Sequence, residues 1–295
     1  MKSRTRNDYL RRIDRVIALL QRAVANDAEL PDLAELGQAA QLSPFHFHRV
    51  YRALTGETIG RTVARLRLLR ALQLLSDPAQ AVTDAALAVG YETPQAFARA
   101  FRQAFGASPS ELRAQPARVA GELARLSRAP VDEAVPMSLL QVEVVSLEPF
   151  ALVATRNTGD FADLAVAYGA LFGWAAQHGL IECIAGIYGV PQQDRRDTPP
   201  AECEFDCALA FNAEATAGDG TVPLTLGGGQ WARLRHVGPY AGLEPATDAL
   251  LAEWLPQSGY ALRDEPLFHH YLDDPEQTPE AVLRTDVYLP VSALP

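Results

Sequence analysis

The sequence predicts a multi-domain chain of two unlike halves. An all-α N-terminal domain carries two helix–turn–helix units, and an α+β C-terminal domain is built from two strand–helix–strand–strand repeats. Three observations carry that reading. The helical stretch Leu42–Gly56 returns about fifty positions later, the second half repeats itself at a period of about eighty, and composition turns from helix-forming to strand-forming residues after a connector bearing Pro116, Pro130 and Pro136. The bounds read as 1–115 for the helical domain, 116–136 for the linker and 137–295 for the second domain.

A chain of 295 residues with 48% hydrophobic content fits two domains with proper cores. No run of 18 uncharged apolar residues exists, so no membrane span is expected. The start, Met1–Asp8, lacks the apolar run of a signal peptide. Three cysteines, an odd number, point away from a disulfide framework and towards a reducing cytoplasm. The net charge of −10 divides unevenly. Residues 1–128 hold 19 Lys or Arg against 12 Asp or Glu (+7), and residues 129–295 hold 7 against 24 (−17). The first half has the electrostatic footprint of a phosphate binder, and the second would repel one.

In chain order, Asp8–Asn26 reads as a helix burying Ile13, Val16, Ile17 and Leu20, with Arg11, Arg12 and Arg15 outward. Asp32–Ala40 and Leu42–Gly56 then form a helix–turn–helix. In the second helix Ser43 caps, Pro44 is preset for the first turn, and Gly56 supplies the left-handed stop. Phe47, Val50, Tyr51 and Leu54 make one buried stripe. Phe45, His48, Arg49 and Arg52 share the same i, i+3, i+4, i+7 spacing on another face, a donor-rich surface suited to a major groove. Thr58–Ser76 is a long connecting helix of about 27 Å, set against major-groove faces about 34 Å apart, with Arg61 and Arg65 as phosphate-contact candidates. The echo follows. After a helix at Thr83–Tyr91, Thr93-Pro94 repeats Ser43-Pro44, and Phe97, Arg99, Phe101, Arg102 and Gly106 repeat Phe47, Arg49, Tyr51, Arg52 and Gly56. Ser108-Pro109-Ser110-Glu111 starts a last short helix. In the connector Gln115–Val135, Ala120–Ser127 has helical character.

Ser43-Pro44-Phe45-His46-Phe47-His48-Arg49, Gly90-Tyr91-Glu92, Phe97-Ala98-Arg99-Ala100-Phe101 and Phe105-Gly106-Ala107-Ser108-Pro109 resemble the DNA-binding domain of the AraC/XylS family over roughly Asp8 to Arg113. The resemblance implies that the second helix of each pair enters the major groove. Carried over by position, Phe45, His48 and Arg49 become base readers in the first unit, and Gln95 and Arg99 in the second. Pro94 and Ala96 stand where relatives carry hydrogen-bonding side chains, so the second helix is expected to read fewer bases.

In the second half, Leu152–Phe161 aligns with Ala232–Tyr240, Trp174 and Gly179 with Trp254 and Gly259, and Asp206 with Asp286. Strands are expected at Leu139–Val145, Ala151–Asn157, Ala185–Val190, Glu204–Phe211, Gln230–Val237, Leu267–Leu272 and Leu283–Pro290, and helices at Asp163–His178 and Glu244–Ser258. Ala213–Gly229 is expected to be a plain separator, and Trp174 and Trp254 to be core in both copies. The sheet should carry its helices on one face and a groove at the pseudo-twofold.

Arg235-His236-Val237-Gly238-Pro239-Tyr240, Trp254-Leu255-Pro256, Tyr271–Pro279 and Leu283–Tyr288 resemble the GyrI-like small-molecule-binding domain over roughly Ser138–Val291. The resemblance implies an aromatic-lined groove for organic, often cationic, compounds, with a buried Glu answering the cation. This chain departs there: the usual Phe-Glu is Phe268-His269. Alternation puts His269 and Tyr271 on one face and Phe268 and His270 on the other. An imidazole that becomes cationic only near pH 6.5 or so weakens the preference for cations and favours neutral, phenolic or weakly acidic ligands. Tyr168, Phe172, Tyr188 and Tyr288 complete the set of groove candidates.

No cysteine or histidine pair has metal-ligand spacing, no glycine-rich phosphate loop precedes a helix, and no nucleophile–base constellation emerges, so neither cofactor nor metal is expected. The expected function is a cytoplasmic transcription regulator. Its partners are double-stranded DNA, a small aromatic or drug-like effector and RNA polymerase. The alternative is a hydrolase of reactive small molecules fused to a DNA reader. Stand-alone GyrI-like hydrolases rely on the groove Glu that His269 replaces here.

Overall fold

The computed structural model describes residues 2–127, 140–196 and 198–294. By contacts they fall into two compact units. One gathers residues 10–42 and 55–127; the other gathers 2–9, 43–54, 140–196 and 198–294.

The helices are α1 (Lys2–Ala25), α2 (Leu33–Ala40), α3 (Pro44–Thr55), α4 (Ile59–Leu75), α5 (Val82–Ala88), α6 (Pro94–Phe105), α7 (Pro109–Arg113) and α8 (Pro116–Leu126). Their ends follow from local chemistry. Asp32 and Glu35 form a capping box at the start of α2, Thr58 and Thr93 cap α4 and α6, and Ser108 with Glu111 boxes α7. Gly106 ends α6 at φ 65°, a conformation that costs glycine least.

In the helical unit, α4, α5 and α6 share one core of Leu68, Leu72, Leu75, Ala85, Val89, Phe97, Phe101, Phe105 and Leu112. The three phenylalanines of α6 stand one turn apart, with ring centroids 5.3 and 4.5 Å apart. Residues 116–126, read from sequence as the first part of a linker, are instead a helix of this unit. Leu126 is buried in the core, and Val119 and Leu123 pack against it. Arg65 completes the attachment. It holds the buried Glu57 through Nε (3.0 Å) and donates to the Leu126 carbonyl through Nη1 (2.7 Å). The remainder of the expected linker, from residue 128, lies outside the described residues.

The other unit is a nine-stranded antiparallel sheet: β1 (Val142–Leu147), β2 (Phe150–Thr158), β3 (Ile184–Pro191), β4 (Glu204–Phe211), β5 (Val222–Leu226), β6 (Gly229–Val237), β7 (Tyr260–Leu262), β8 (Phe268–Tyr271) and β9 (Arg284–Ala293). The order β1-β6-β9-β8-β3-β4-β2-β5 reads alike from both ends about the β8–β3 pair, as a duplicated unit requires. Each copy contributes an inner hairpin, and each leading strand crosses to the other copy: β1 pairs β6, and β5 pairs β2. The separator expected at Ala213–Gly229 therefore contains a strand. Pro223 has no N–H to donate, which suits the sheet edge where β5 lies.

Helix α9 (Leu164–Gln177) matches its expected span. The second expected helix is divided into α10 (Leu243–Ala249), a π-helical turn at Leu250–Trp254 and α11 (Leu255–Ser258). Pro256 has no N–H for the usual i−4 bond, and the preceding N–H of Leu255 reaches back five residues to Leu250. The wider turn separates the two tryptophans in character. Trp174 is buried among Leu171, Phe205 and Leu209, whereas Trp254 is only half-buried and stacks on Tyr260 at 6.1 Å, correcting its assignment to the core.

Each face of the sheet has its own core. Val153, Leu171, Trp174, Phe205, Cys207 and Leu209 join α9 to one face. Trp231, Phe268, Tyr288, Leu152 and Val190 fill the other, together with Val145 of one edge strand and Leu226 of the opposite edge, so the sheet curls around this second cluster.

Candidate functional site

Of the side chains assigned to base reading, those of α6 stand free. Gln95, Arg99 and Arg102 are exposed, on the face opposite the buried Phe97, Phe101 and Phe105. Thr93 accepts from the Ala96 N–H and fixes the first turn, so Gln95 and Arg99 project from a rigid base. Arg61 on α4 is exposed. Arg65, the second phosphate candidate, has its guanidinium committed to Glu57 and Leu126 and acts as a structural clasp.

The face of α3 has a different setting. Phe45 and His48 are half-buried, and Arg49 is only 6% exposed. Its Nη1 donates to the Phe45 carbonyl one turn back (2.9 Å). Its Nη2 donates to the carbonyls of Pro191 (3.1 Å), the last residue of β3, and Gln193 (2.7 Å), two residues further on. Arg52 pairs with Asp248 of α10 and lies 3.6 Å from Asp194. Arg196 ties the same acids together, at 2.7 Å from Asp194, 2.9 Å from Asp248 and 3.6 Å from Glu244. His46, next to this face, is buried with Nε2 3.0 Å from the Arg263 carbonyl oxygen. Burial lowers the Arg49 pKa, opposed by the negative charges of Asp194, Glu244 and Asp248. Burial also holds the Asp248 carboxyl up to about 6 despite Arg52, and pushes His46 down to about 4.

The effector candidates divide between the two faces. Alternation along β8 holds: Phe268 stacks on Tyr288 (4.6 Å) and His270 on Tyr188 (4.4 Å), both on the face that the sheet curls around. Tyr188 and Tyr288 therefore do not share a groove with His269, which corrects their grouping. On the helix-bearing face, Tyr271 meets Tyr168 edge-on at 6.2 Å and Tyr240 at 5.3 Å, and the Tyr168 hydroxyl donates to the Tyr188 carbonyl (2.7 Å). Phe172 packs into the core under α9. His269 is 8% exposed, and neither ring nitrogen has a hydrogen-bond partner among the described residues. Burial, aided by the nearby positive Arg49, pushes its pKa down to about 3, so the expected titration near neutrality does not occur and the ring stays neutral. A base so weak is ill-suited to acid–base catalysis, which works best with a pKa near the operating pH.

Arg49 and His269 line one cavity with Phe161, Leu243, Thr247 and Leu267. Its volume is about 40 Å³, room for a few waters and far below the roughly 300–1,000 Å³ of a drug-sized site. Sequence reasoning missed His46, Asp194 and Asp248, whose contacts span about 140 to 220 positions, and Glu244, which meets Arg195 and Arg196 about fifty positions away. No local pattern marks them. Among the described residues no helix is long and apolar enough to cross a membrane.

A family model described as GyrI-like small molecule binding domain matches residues 140–292, and a helix-turn-helix domain model matches residues 36–115. The probable transcriptional regulator YgiV of Escherichia coli K12 is 32% identical over 106 residues, which are 36% of this chain and 66% of that relative, just under two thirds of its length. A DNA gyrase inhibitor of Erwinia billingiae is 28% identical over 159 residues, covering 52% of this chain and 98% of the relative. The cryo-EM EcmrR–DNA complex is similar over 76% of this chain and 81% of its own, at 14% identity with a TM-score of 0.46.

Proposed function

The chain belongs to the GyrI-like small-molecule-binding family and carries an AraC-type helix–turn–helix half; from that premise we propose that it is a transcription regulator that reads double-stranded DNA and answers to a small effector. One observation carries the DNA half of the reading. Helix α6 buries three phenylalanines and offers Gln95, Arg99 and Arg102 to solvent from a capped, rigid first turn. An arginine held in this way can meet a guanine edge with two donors. Helix α3 supplies the second reader through Phe45, His48, Arg49 and Arg52, and Arg61 meets phosphate. Such a regulator works in the cytoplasm, where it can also touch RNA polymerase.

The effector site in this reading is the groove on the helix-bearing face, around His269, Tyr271 and Tyr168. A neutral, unpartnered imidazole among aromatic rings favours flat ligands with a hydroxyl or carbonyl to share, such as phenols and aromatic amides. The test begins with selection of duplexes from a random pool by the full chain, followed by titration against salt. A steep fall in affinity with rising salt supports the reading, and failure to enrich any sequence defeats it. A thermal-shift screen against aromatic compounds of both charge signs, with a product assay on each hit, then separates a sensor from a hydrolase.

A further inference from the structure

The reading face of α3 is already occupied. The carbonyls of Pro191 and Gln193 both accept from Arg49 Nη2, taking up the donor that a base edge would need, and the carboxylates of Asp194 and Asp248 sit against Arg52 as phosphates would. We infer that this acidic face of the C-terminal half is an intramolecular stand-in for DNA, capturing α3 through Arg49 and Arg52 so that the same side chains serve either the duplex or the protein. The inference rests on the DNA-reading assignment of α3.

Three observations fit capture and none requires a permanent joint. First, Arg49 is buried with carbonyl partners, while the carboxylates that answer its charge act from further off. A buried cation without a direct counter-ion is costly, which leaves the docked state poised against exchange for a polyanion. Second, the groove beside Arg49 retains only about 40 Å³, so an effector of drug size must take the space that the guanidinium fills. Effector and docked α3 then exclude one another, and the effector frees the reader. Third, the C-terminal half carries the strong negative balance (−17 over residues 129–295) that a DNA surrogate needs.

The test uses the full chain. Asp248→Asn with Glu244→Gln removes two of the three negative charges near Arg49, and circular dichroism checks that the variant folds. Glu276→Gln with Glu280→Gln, exposed acids at the Asp274–Val282 segment, controls for the general loss of negative charge. Affinity for a duplex selected by the wild-type chain should rise at least tenfold in the first variant and remain within twofold in the control. Phenylglyoxal footprinting supplies a readout without DNA. In the native protein Arg99 should be modified quickly and Arg49 slowly, and the two rates should converge in the first variant. Equal affinity in wild type and variant, or Arg49 labelling as fast as Arg99 in the native chain, overturns the capture. Failure of every form to bind any duplex removes the DNA-reading premise instead, and the footprint still reports whether Arg49 is held.

Discussion

Arg235 holds Asp286 through two parallel hydrogen bonds, Nε to Oδ1 at 2.7 Å and Nη2 to Oδ2 at 2.8 Å, and Arg156 holds Asp206 in the same way at 2.7 and 2.9 Å. The two clasps join β6 to β9 and β2 to β4, equivalent places in the duplicated sheet. Asp286 is 1% exposed, so loss of Arg235 leaves a buried carboxylate with the more distant Arg233, at 4.0 Å, to answer it. The guanidinium is partly in water, which reduces the effect below that of a wholly buried pair. Arg235→Ala should destabilise the chain by about 1–3 kcal/mol in urea unfolding, and Arg156→Ala by a similar amount. Loss confined to one of the two would break the symmetry that the duplication implies.

Under the proposed reading, Arg99 and Arg49 should behave unequally. Arg99 is exposed, so Arg99→Ala removes a base contact and nothing else, costing about 1–3 kcal/mol on selected DNA and much less on random duplex. Arg49→Ala removes a base contact and also an anchor of the docked state, and the two losses oppose each other in the full chain. Its measured penalty should therefore be smaller than that of Arg99→Ala, and should grow to match it in the Asp248→Asn, Glu244→Gln background. Fluorescence anisotropy on the wild type, the two single variants, and the Asp248→Asn, Glu244→Gln chain with and without Arg49→Ala decides the matter.

Helix α8 changes where the helical unit stops. Leu126 is 4% exposed and joins the core of Phe105 and Leu112. Leu126→Ala should cost about 2–4 kcal/mol, the usual range for a leucine truncated in a packed interior. A change under about 0.5 kcal/mol in thermal or urea unfolding would mark residues 116–126 as a tether, in line with the sequence-based bounds.

Much of the fold was legible because it is local. The caps Thr58, Thr93 and Ser108, the stripe Phe97–Phe101–Phe105 and the alternation through Phe268 to Tyr271 are written in neighbouring residues. Strand β5 escaped notice because Pro223 lies in a glycine-rich stretch that reads as a loop, and only its place at an edge makes it a strand. The π turn needed the one missing N–H of Pro256 to be weighed against a strong helical pattern. At the site, the alternation separating His269 from His270 was readable. The seating of Arg49 on Gln193, 144 positions away, was not, since the acceptor is a backbone carbonyl and has no residue type to signal it.

Acid should loosen the sheet unit through its buried histidines. Burial lowers His46 to about 4 and His269 to about 3, against about 6.5 in an unfolded chain. Below pH 6.5 or so the unfolded chain takes up protons that the fold refuses, so the contribution is full above that pH and drains away as pH falls towards 4. Each histidine accounts for about 2 kcal/mol between pH 7 and pH 5. Asp248, raised to about 6, works the other way: the fold binds its proton first, and returns about 1 kcal/mol over the same interval. The net loss should be about 2–3 kcal/mol by urea unfolding at the two pH values. His269→Asn should flatten that dependence, and Asp248→Asn should steepen it.

The most direct test of the groove puts back a carboxylate. His269→Glu places an acid in the cavity that Arg49 lines, where the wild-type ring is neutral and unpartnered. Two consequences follow from one charge. The new carboxylate answers the buried guanidinium, so α3 should dock more firmly and DNA affinity should fall, by about tenfold for a gain of about 1.4 kcal/mol. Lipophilic cations that displace Arg49 should find a counter-ion and bind more tightly than in the wild type, and should restore DNA affinity as they do so. The factor by which such a cation raises affinity for the duplex must equal the factor by which the duplex raises affinity for the cation. Calorimetry of the cation with and without selected DNA measures both. If the substitution leaves DNA affinity and cation affinity unchanged, His269 does not face the space that Arg49 fills, and the groove lies elsewhere on the sheet.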